Sequence, residues 1–321
     1  MTGWNKARIF VIVGMVMGLI KLQTVNLSRL SVVLNPFVSK NTNYRRFQKF
    51  FEKFVPDGDT VAKMPASFLP DEPWTLAMDR INWKFGEANI NILMIGVVYK
   101  GMAVPLIWSL LPKRGNSNTD ERIVLMKRFV RLFGTDRIDV FLADREFIGA
   151  LWPDWFIDNG IDFVVRVKKD MLLKKSKEDK GKQVHHFFHH LKLHESEVLA
   201  AKYYAYGHYL NIAAARGKED EAMIVLTNMQ QPAKATAIYR KRWEIETLFG
   251  AFKTRGFNLE QTHMSQVDKL STLVAILSIA FVRAYFIGEW LNTITPTRIK
   301  KHGRFTVSSW TGPFGRYSAQ L

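Results

Sequence analysis

Two apolar runs, TLAM and VFLA, each stop on an aspartate, Asp79 and Asp144. A short continuous apolar run reads as a buried strand, and a buried sheet delivers its polar end residues to the edge where chemistry is done. This feature constrains the chain most, because it demands a sheet covered by helices. An aspartate at a strand end is also a common turn former or helix cap, so either residue taken alone says little.

The texture around these runs is that of a mixed α/β chain. Strands are expected at 74–78, 90–99 and 102–110, with Lys100-Gly101 as the hairpin turn between the last two. A helix follows, with Asn118 or Thr119 as its N-cap and an apolar face of Ile123, Leu125, Met126, Phe129, Val130 and Phe133. A strand at 138–143, a helix at 147–159 and a strand at 162–167 come next. That order argues for a mixed sheet flanked by helices. Residues 168–230 open on a lysine-rich stretch and then show short alternating segments at 203–215 and 222–227, which read as a β-rich insertion. Helical texture returns from 231 to 290, and 293–321 form a basic tail of no assigned structure.

Ahead of the sheet, residues 1–55 read as three short helices at 9–22, 28–34 and 43–54. The last carries Arg45, Arg46, Lys49 and Lys53. Three short helices with a basic third suit a helix-turn-helix-like DNA-binding unit. Pro56, Gly58, Pro65, Pro70 and Pro73 mark 56–73 as a linker. The expected organisation is therefore a small helical unit at 1–55, a linker at 56–73, a catalytic domain at 74–292 with its insertion at 168–230, and the tail. The sequence contains no internal repeat.

With 46 Lys+Arg against 29 Asp+Glu in 321 residues, the net charge is +17. At 47% hydrophobic and 13% aromatic residues the chain can fill a core, so the excess charge points to a polyanionic partner rather than to disorder. The absence of cysteine excludes a disulfide scaffold, a thiol nucleophile and Cys-ligated metal centres. The apolar run at 9–20 follows Lys6 and Arg8 as a signal peptide would. It stops at Lys21, short of the ~20 residues that span a bilayer, and no small-x-small cleavage site follows. The later apolar stretches are broken by charges. The chain thus reads as soluble, with no membrane partner.

The segment ATAIYRKRWEIETLFGAFKTRG reads as one helix. At ~100° per residue, Tyr239, Arg242, Glu246 and Lys253 fall within an arc of roughly 60°. Ile238, Ile245, Phe249 and Phe252 form an adjoining apolar stripe that can pack on the sheet. Glu246 would then join Asp79 and Asp144. Three carboxylates in that arrangement can hold two divalent ions ~4 Å apart, and hard oxygen donors suit Mg2+ or Mn2+. Such a site activates a water or a 3′-hydroxyl for in-line phosphoryl displacement. Arg242 and Lys253 would neutralise phosphates, and Tyr239 could donate to one or stack on a base.

The run Tyr239-x2-Arg242-x3-Glu246-x6-Lys253 resembles the YREK signature of IS4-type bacterial insertion-sequence transposases. MDRINWKFGEANINIL resembles the first-aspartate region of that family, LADREF resembles its second-aspartate motif, and YKGMAVPLIWSLLPKRGNS shares its texture. The resemblance covers roughly residues 74–263. It implies a ribonuclease-H-like core with Asp79, Asp144 and Glu246 as a DDE triad that is both catalytic and metal-binding, and an insertion between the second and third members. It further implies two Mg2+ (or Mn2+) ions per site, excision of a mobile element through DNA hairpins, joining to a target, and a homodimer on DNA. Tyr239, Arg242 and Lys253 would hold the DNA backbone, and the expected location is the bacterial cytoplasm, at the nucleoid. A structure-specific nuclease of the same fold and a catalytically dead DNA-binding copy are the alternatives.

Several other residues carry less weight. His185, His186, His189 and His190 offer helical metal-ligand spacing but lack a carboxylate partner, and read as a solvated patch. Glu146 reads as an acid favoured at a helix start. Arg145 is a candidate phosphate contact. Trp243 stacks on a base or packs against the insertion, and the sequence leaves that open.

Overall fold

The computed structural model describes residues 4–149, 151–218 and 221–294, so 295–321 of the expected tail lie outside the described residues. The chain opens with α1 (Lys6–Leu22), α2 (Leu27–Leu34) and α3 (Lys40–Lys53), capped by Asn5, Asn26 and Ser39. Each cap side chain accepts an amide proton that the helix leaves unpaired. Met15, Leu19, Leu30 and Phe47 bury this unit's inner faces. Asn43 ties α3 to the α2 region by donating to Ser31 and Asn35 carbonyls at 2.9 and 2.8 Å.

The stretch expected as a linker is not extended throughout. It contains α4 (Gly58–Ala66), whose Asp57 cap accepts from the Thr60 amide at 2.9 Å. Gly58 opens the helix and Pro65 stands in its last turn, with the Asp57 cap supporting its start. Val61, Ala62 and Pro65 are buried, and Asp59 pairs with Arg128 and Arg131 at 3.0 and 2.6 Å.

The sheet begins as a meander of β1 (Trp74–Phe85), β2 (Ala88–Tyr99) and β3 (Met102–Leu110). Lys100 and Gly101 turn the second hairpin with φ of 47° and 90°, the doubly left-handed pair that matches strand twist. Then come α5 (Thr119–Phe133), β4 (Ile138–Ala143), a 3-10 turn at Arg145–Phe147, α6 (Leu151–Asp158) and β5 (Phe163–Arg166). A reciprocal Asn118–Glu121 capping box starts α5. The helix expected at 147–159 begins later than read, because the 3-10 turn takes the residues just after Asp144. β4 lies parallel to both β1 and β5, while β2 and β3 are antiparallel.

After β5 come β6 (Leu172–Leu173), β7 (Lys182–Gln183), β8 (Ser196–Val198), β9 (Tyr203–Ala205), β10 (His208–Ala215) and β11 (Met223–Thr227). The region is β-rich, and it extends the central sheet. β11 pairs with β5, and the order runs β3-β2-β1-β4-β5-β11-β10-β8, with β9 paired to β10. The open side of β5 supplies unpaired backbone groups, and β11 satisfies them.

Three helices close the described chain: α7 (Ala235–Arg240), α8 (Trp243–Phe252) and α9 (Val267–Ile294). Contrary to the expectation that charges break every later apolar stretch, α9 is long and apolar enough to cross a membrane. Yet 72% of its most apolar window is buried inside the protein. There α9 packs against α1, α3, α4 and β3.

Candidate active site

The parallel register of β1 and β4 pairs Met78 with Ala143, and pairing stops there. The next residues, Asp79 and Asp144, therefore leave the two central strands at the same level. Asp144 ends its strand as expected. Asp79 does not, because β1 runs on to Phe85 against β2, with Asp79 opposite Met94. A hairpin needs only its one antiparallel neighbour, so the strand continues past the first charge after β4 has fallen away.

The helix expected across 235–256 is broken. Between α7 and α8 the amides of Arg242 and Ile245 donate three residues back, to Tyr239 at 2.9 Å and Arg242 at 3.0 Å. These tightened 3-10 bonds interrupt the α-helical ladder between α7 and α8. Tyr239, Arg242 and Glu246 still share one side, with the Arg242 guanidinium buried there. Its Nη1 lies 3.3 Å from Asp79 Oδ2 and its Nη2 2.7 Å from Glu246 Oε1. The Tyr239 hydroxyl donates to Asp144 Oδ1 at 3.1 Å, and the guanidinium carbon stands 5.6 Å from the centre of the Tyr239 ring.

Five residues read from the sequence are thus brought together: Asp79, Asp144, Tyr239, Arg242 and Glu246. Lys253 ends α8 at the rim, where its ammonium donates to the Asn82 carbonyl at 3.0 Å and pairs with Glu260 at 2.7 Å. Arg145 is exposed beside the second aspartate. Arg45 and Arg46 are not part of the cluster. They lie on α3, in the helical unit that packs on α9. Trp243 is exposed at the first position of α8. Of the histidines, His190 meets Glu197 at 2.7 Å and His189 the His186 carbonyl at 2.8 Å; His185 and His186 lie in a short 3-10 helix and His189 and His190 in the turn after it, not on one α-helix face.

The electrostatics follow from burial. Desolvation pushes the Asp79 carboxyl up to about 7, opposed by the Arg80 amide and Arg242 and reinforced by Glu146 and Glu246. Burial also raises the Tyr239 hydroxyl, so it serves as a donor rather than a base. Burial works against the charge of Arg242, but Tyr239, Glu246 and Asp79 outweigh it and hold the guanidinium protonated.

Sequence reasoning misassigned one residue and missed two. Glu146 is not a dipole-stabilised helix acid, since the turn bearing it is only three residues long. Its carboxylate grips Arg80 with two bonds, Nε–Oε1 at 2.7 Å and Nη2–Oε2 at 2.9 Å. Arg122, buried on α5, donates to the Glu146 carbonyl at 2.9 Å and lies over the Phe147 ring at 5.0 Å. The available signal was positional: Arg80 follows Asp79 by one residue, and Glu146 follows Asp144 by two.

Among the described residues, no three His, Cys, Asp or Glu side chains stand close enough together to hold an ion. Arg242 takes the place between Asp79 and Glu246. The donor chemistry nonetheless fits a hard divalent cation, because a desolvated carboxylate, a strand-end carboxylate and a helix carboxylate surround one buried positive charge.

A mixed sheet with parallel central strands that brings two aspartates level, covered by a helix that brings a glutamate near them, is a fold of ribonuclease-H-like type. The chain belongs to the transposase DDE domain family, which matches residues 69–283. No curated protein matches it significantly. Among solved structures it is similar to a piggyBac transposase synaptic complex with hairpin DNA, at TM-score 0.52 and 12% identity over 100% of this chain and 74% of that one. That likeness is one of fold. A Bacillus subtilis endonuclease V aligns at TM-score 0.26 and 13% identity over 78% of this chain and 94% of that one.

Proposed function

We propose that this protein is an IS4-type transposase that cleaves DNA at the ends of an insertion sequence and transfers the freed strands to target DNA. The observation that carries the reading is the convergence of Asp79, Asp144 and Glu246 on two neighbours from the same signature, Tyr239 and Arg242. Asp79, Asp144 and Glu246 would hold two Mg2+ or Mn2+ ions. When bound, such ions supply a nucleophile at neutral pH and stabilise the leaving oxygen. Arg242 would then release at least one carboxylate and turn its fork toward a phosphate, where planar bidentate donors bind well. Tyr239 orients Asp144 through its hydroxyl. Lys253, at the rim, can exchange Glu260 for a DNA phosphate, and Arg145 is placed to do likewise. Arg45 and Arg46, with the 1–55 unit, would grip the terminal repeat away from the cut.

The net charge of +17 supports DNA as the partner. The hairpin route, the dimer on DNA and action at the bacterial nucleoid are what the IS4 resemblance implies. The test uses a donor plasmid carrying the coding region with its natural flanks, incubated with purified protein with and without Mg2+. Release of a discrete linear element is expected, and Asp79→Ala, Asp144→Ala and Glu246→Ala should each abolish it while end binding persists. Joining of the released 3′-OH to a second duplex separates a transposase from a nuclease. Substantial cutting by all three variants would sink the proposal.

A further inference from the structure

Asp79 and Asp144 sit one residue past the last paired positions of their strands, so no backbone bond ties one directly to the other. What spans the gap beyond them is a side-chain pair. Arg80, one residue past Asp79, and Glu146, two past Asp144, meet in two parallel bonds of 2.7 and 2.9 Å. Both partners are largely shielded, with side chains 10% and 28% exposed. A fork-to-fork pair fixes orientation as well as distance, unlike a lysine contact.

Each half of the pair is itself braced. Arg80 donates to the Gly115 carbonyl at 2.7 Å and to the Asn116 and Asn91 side-chain oxygens at 2.9 and 3.3 Å. Glu146 is held from behind by Arg122, which anchors on Ser117 and on the Glu146 carbonyl at 2.9 Å. The loop at 115–117 thus braces both sides. In addition, the amide of Arg80 donates to Asp79 Oδ1 at 2.7 Å, so the residue that clamps Glu146 also orients the first aspartate.

We propose that Arg80 and Glu146 form a clamp that sets the spacing and aim of Asp79 and Asp144, making both of them positioning residues for the carboxylate site. The inference rests on the proposed function, since it concerns the same site. Neither residue touches DNA or an ion in this role. Outer partners of metal-binding side chains commonly govern affinity by 10–100-fold.

The test reads Mn2+ binding to the full-length protein by electron paramagnetic resonance, with thermal melting in EDTA alongside. Asp144→Ala identifies the relevant binding. Arg80→Gln and Glu146→Gln are each expected to weaken it about tenfold. Their double variant is expected to be no weaker than the worse single one, since members of one unit are not additive. Arg80→Lys should recover little, because it restores charge without the fork. Melting midpoints should stay close to wild type; should Arg80→Gln fail to fold, Glu146→Gln and Arg80→Lys carry the same comparison. Wild-type Mn2+ binding in the single variants would overturn the clamp, as would additive losses. A loss in Glu146→Gln with none in Arg80→Gln would also overturn it, by making Glu146 a direct ligand. If wild-type binding is indifferent to Asp144→Ala, the carboxylate site itself falls and takes the clamp with it.

Discussion

At Asp79, a largely desolvated carboxylate faces the Arg242 guanidinium and two further acids. Its pKa in the folded protein, near 7, lies above the unfolded value of 3.8. Between these values the folded state binds the extra proton, so metal-free stability falls as pH rises from about 4 to 7 and is level above. Asp79→Asn removes this dependence. In EDTA it should be more stable than wild type at pH 8 by a few kcal/mol, with the gap closing below pH 4 in denaturant melts. Arg242 has the opposite character. It is 9% exposed and is the cation between Asp79 and Glu246. Arg242→Gln should cost about 3 kcal/mol in EDTA by stranding buried charge, and adding Asp79→Asn should return part of it. Equal destabilisation with and without Asp79→Asn would contradict the coupling.

At the level of elements, α4 shows how one side chain fixes a segment whose composition reads as a linker. Asp59 joins α4 to two arginines of α5. The hydrogen bond from Arg131, with help from Arg128, holds its carboxyl below the usual 3.8 even against desolvation. A depressed folded pKa contributes stability that is complete above the unfolded value and is lost as pH falls through the folded one. Asp59→Asn should therefore lower stability at pH 7 by up to about 1 kcal/mol, the scale of a part-exposed pair. The deficit should shrink as pH falls below the unfolded value of 3.8 and through the lower folded one, as chemical denaturation at pH 7 and in acid would reveal. The break between α7 and α8 matters more for chemistry. Arg242, at the break, reaches both Asp79 and Glu246, and Lys253 stands at the rim.

Across the whole molecule, apolar α9 anchors the helical unit and the sheet to each other, so its membrane-like composition is spent on internal packing. The surplus positive charge stays on the outside, on α3 and around the lysine-rich start of the insertion. End-DNA affinity should in consequence fall steeply with salt. With 6–10 phosphate contacts, the loss between 50 and 200 mM is about 10^3–10^5-fold. A fluorescence anisotropy series would measure the slope, and a flat one would argue against DNA as the partner.

The class of fold was legible in the chain alone, and so were the candidate acidic residues that the fold brings to one end of the sheet. Apolar runs ending at Asp79 and Asp144 report burial, and the Tyr239–Glu246 spacing reports a helix against the sheet. Both signals are local, so they can be read residue by residue. Long-range pairing set how far β1 continues beyond Asp79, since that depends on β2. Tertiary packing also decided that the insertion extends the sheet, because β11 answers an open edge left by β5, and that prolines and a glycine do not prevent α4. The Arg80–Glu146 pair joins positions 66 apart in the chain, brought together by the parallel register of β1 and β4. Partner choice between such distant charges is settled by which strands lie side by side, and that depends on packing and not on sequence spacing.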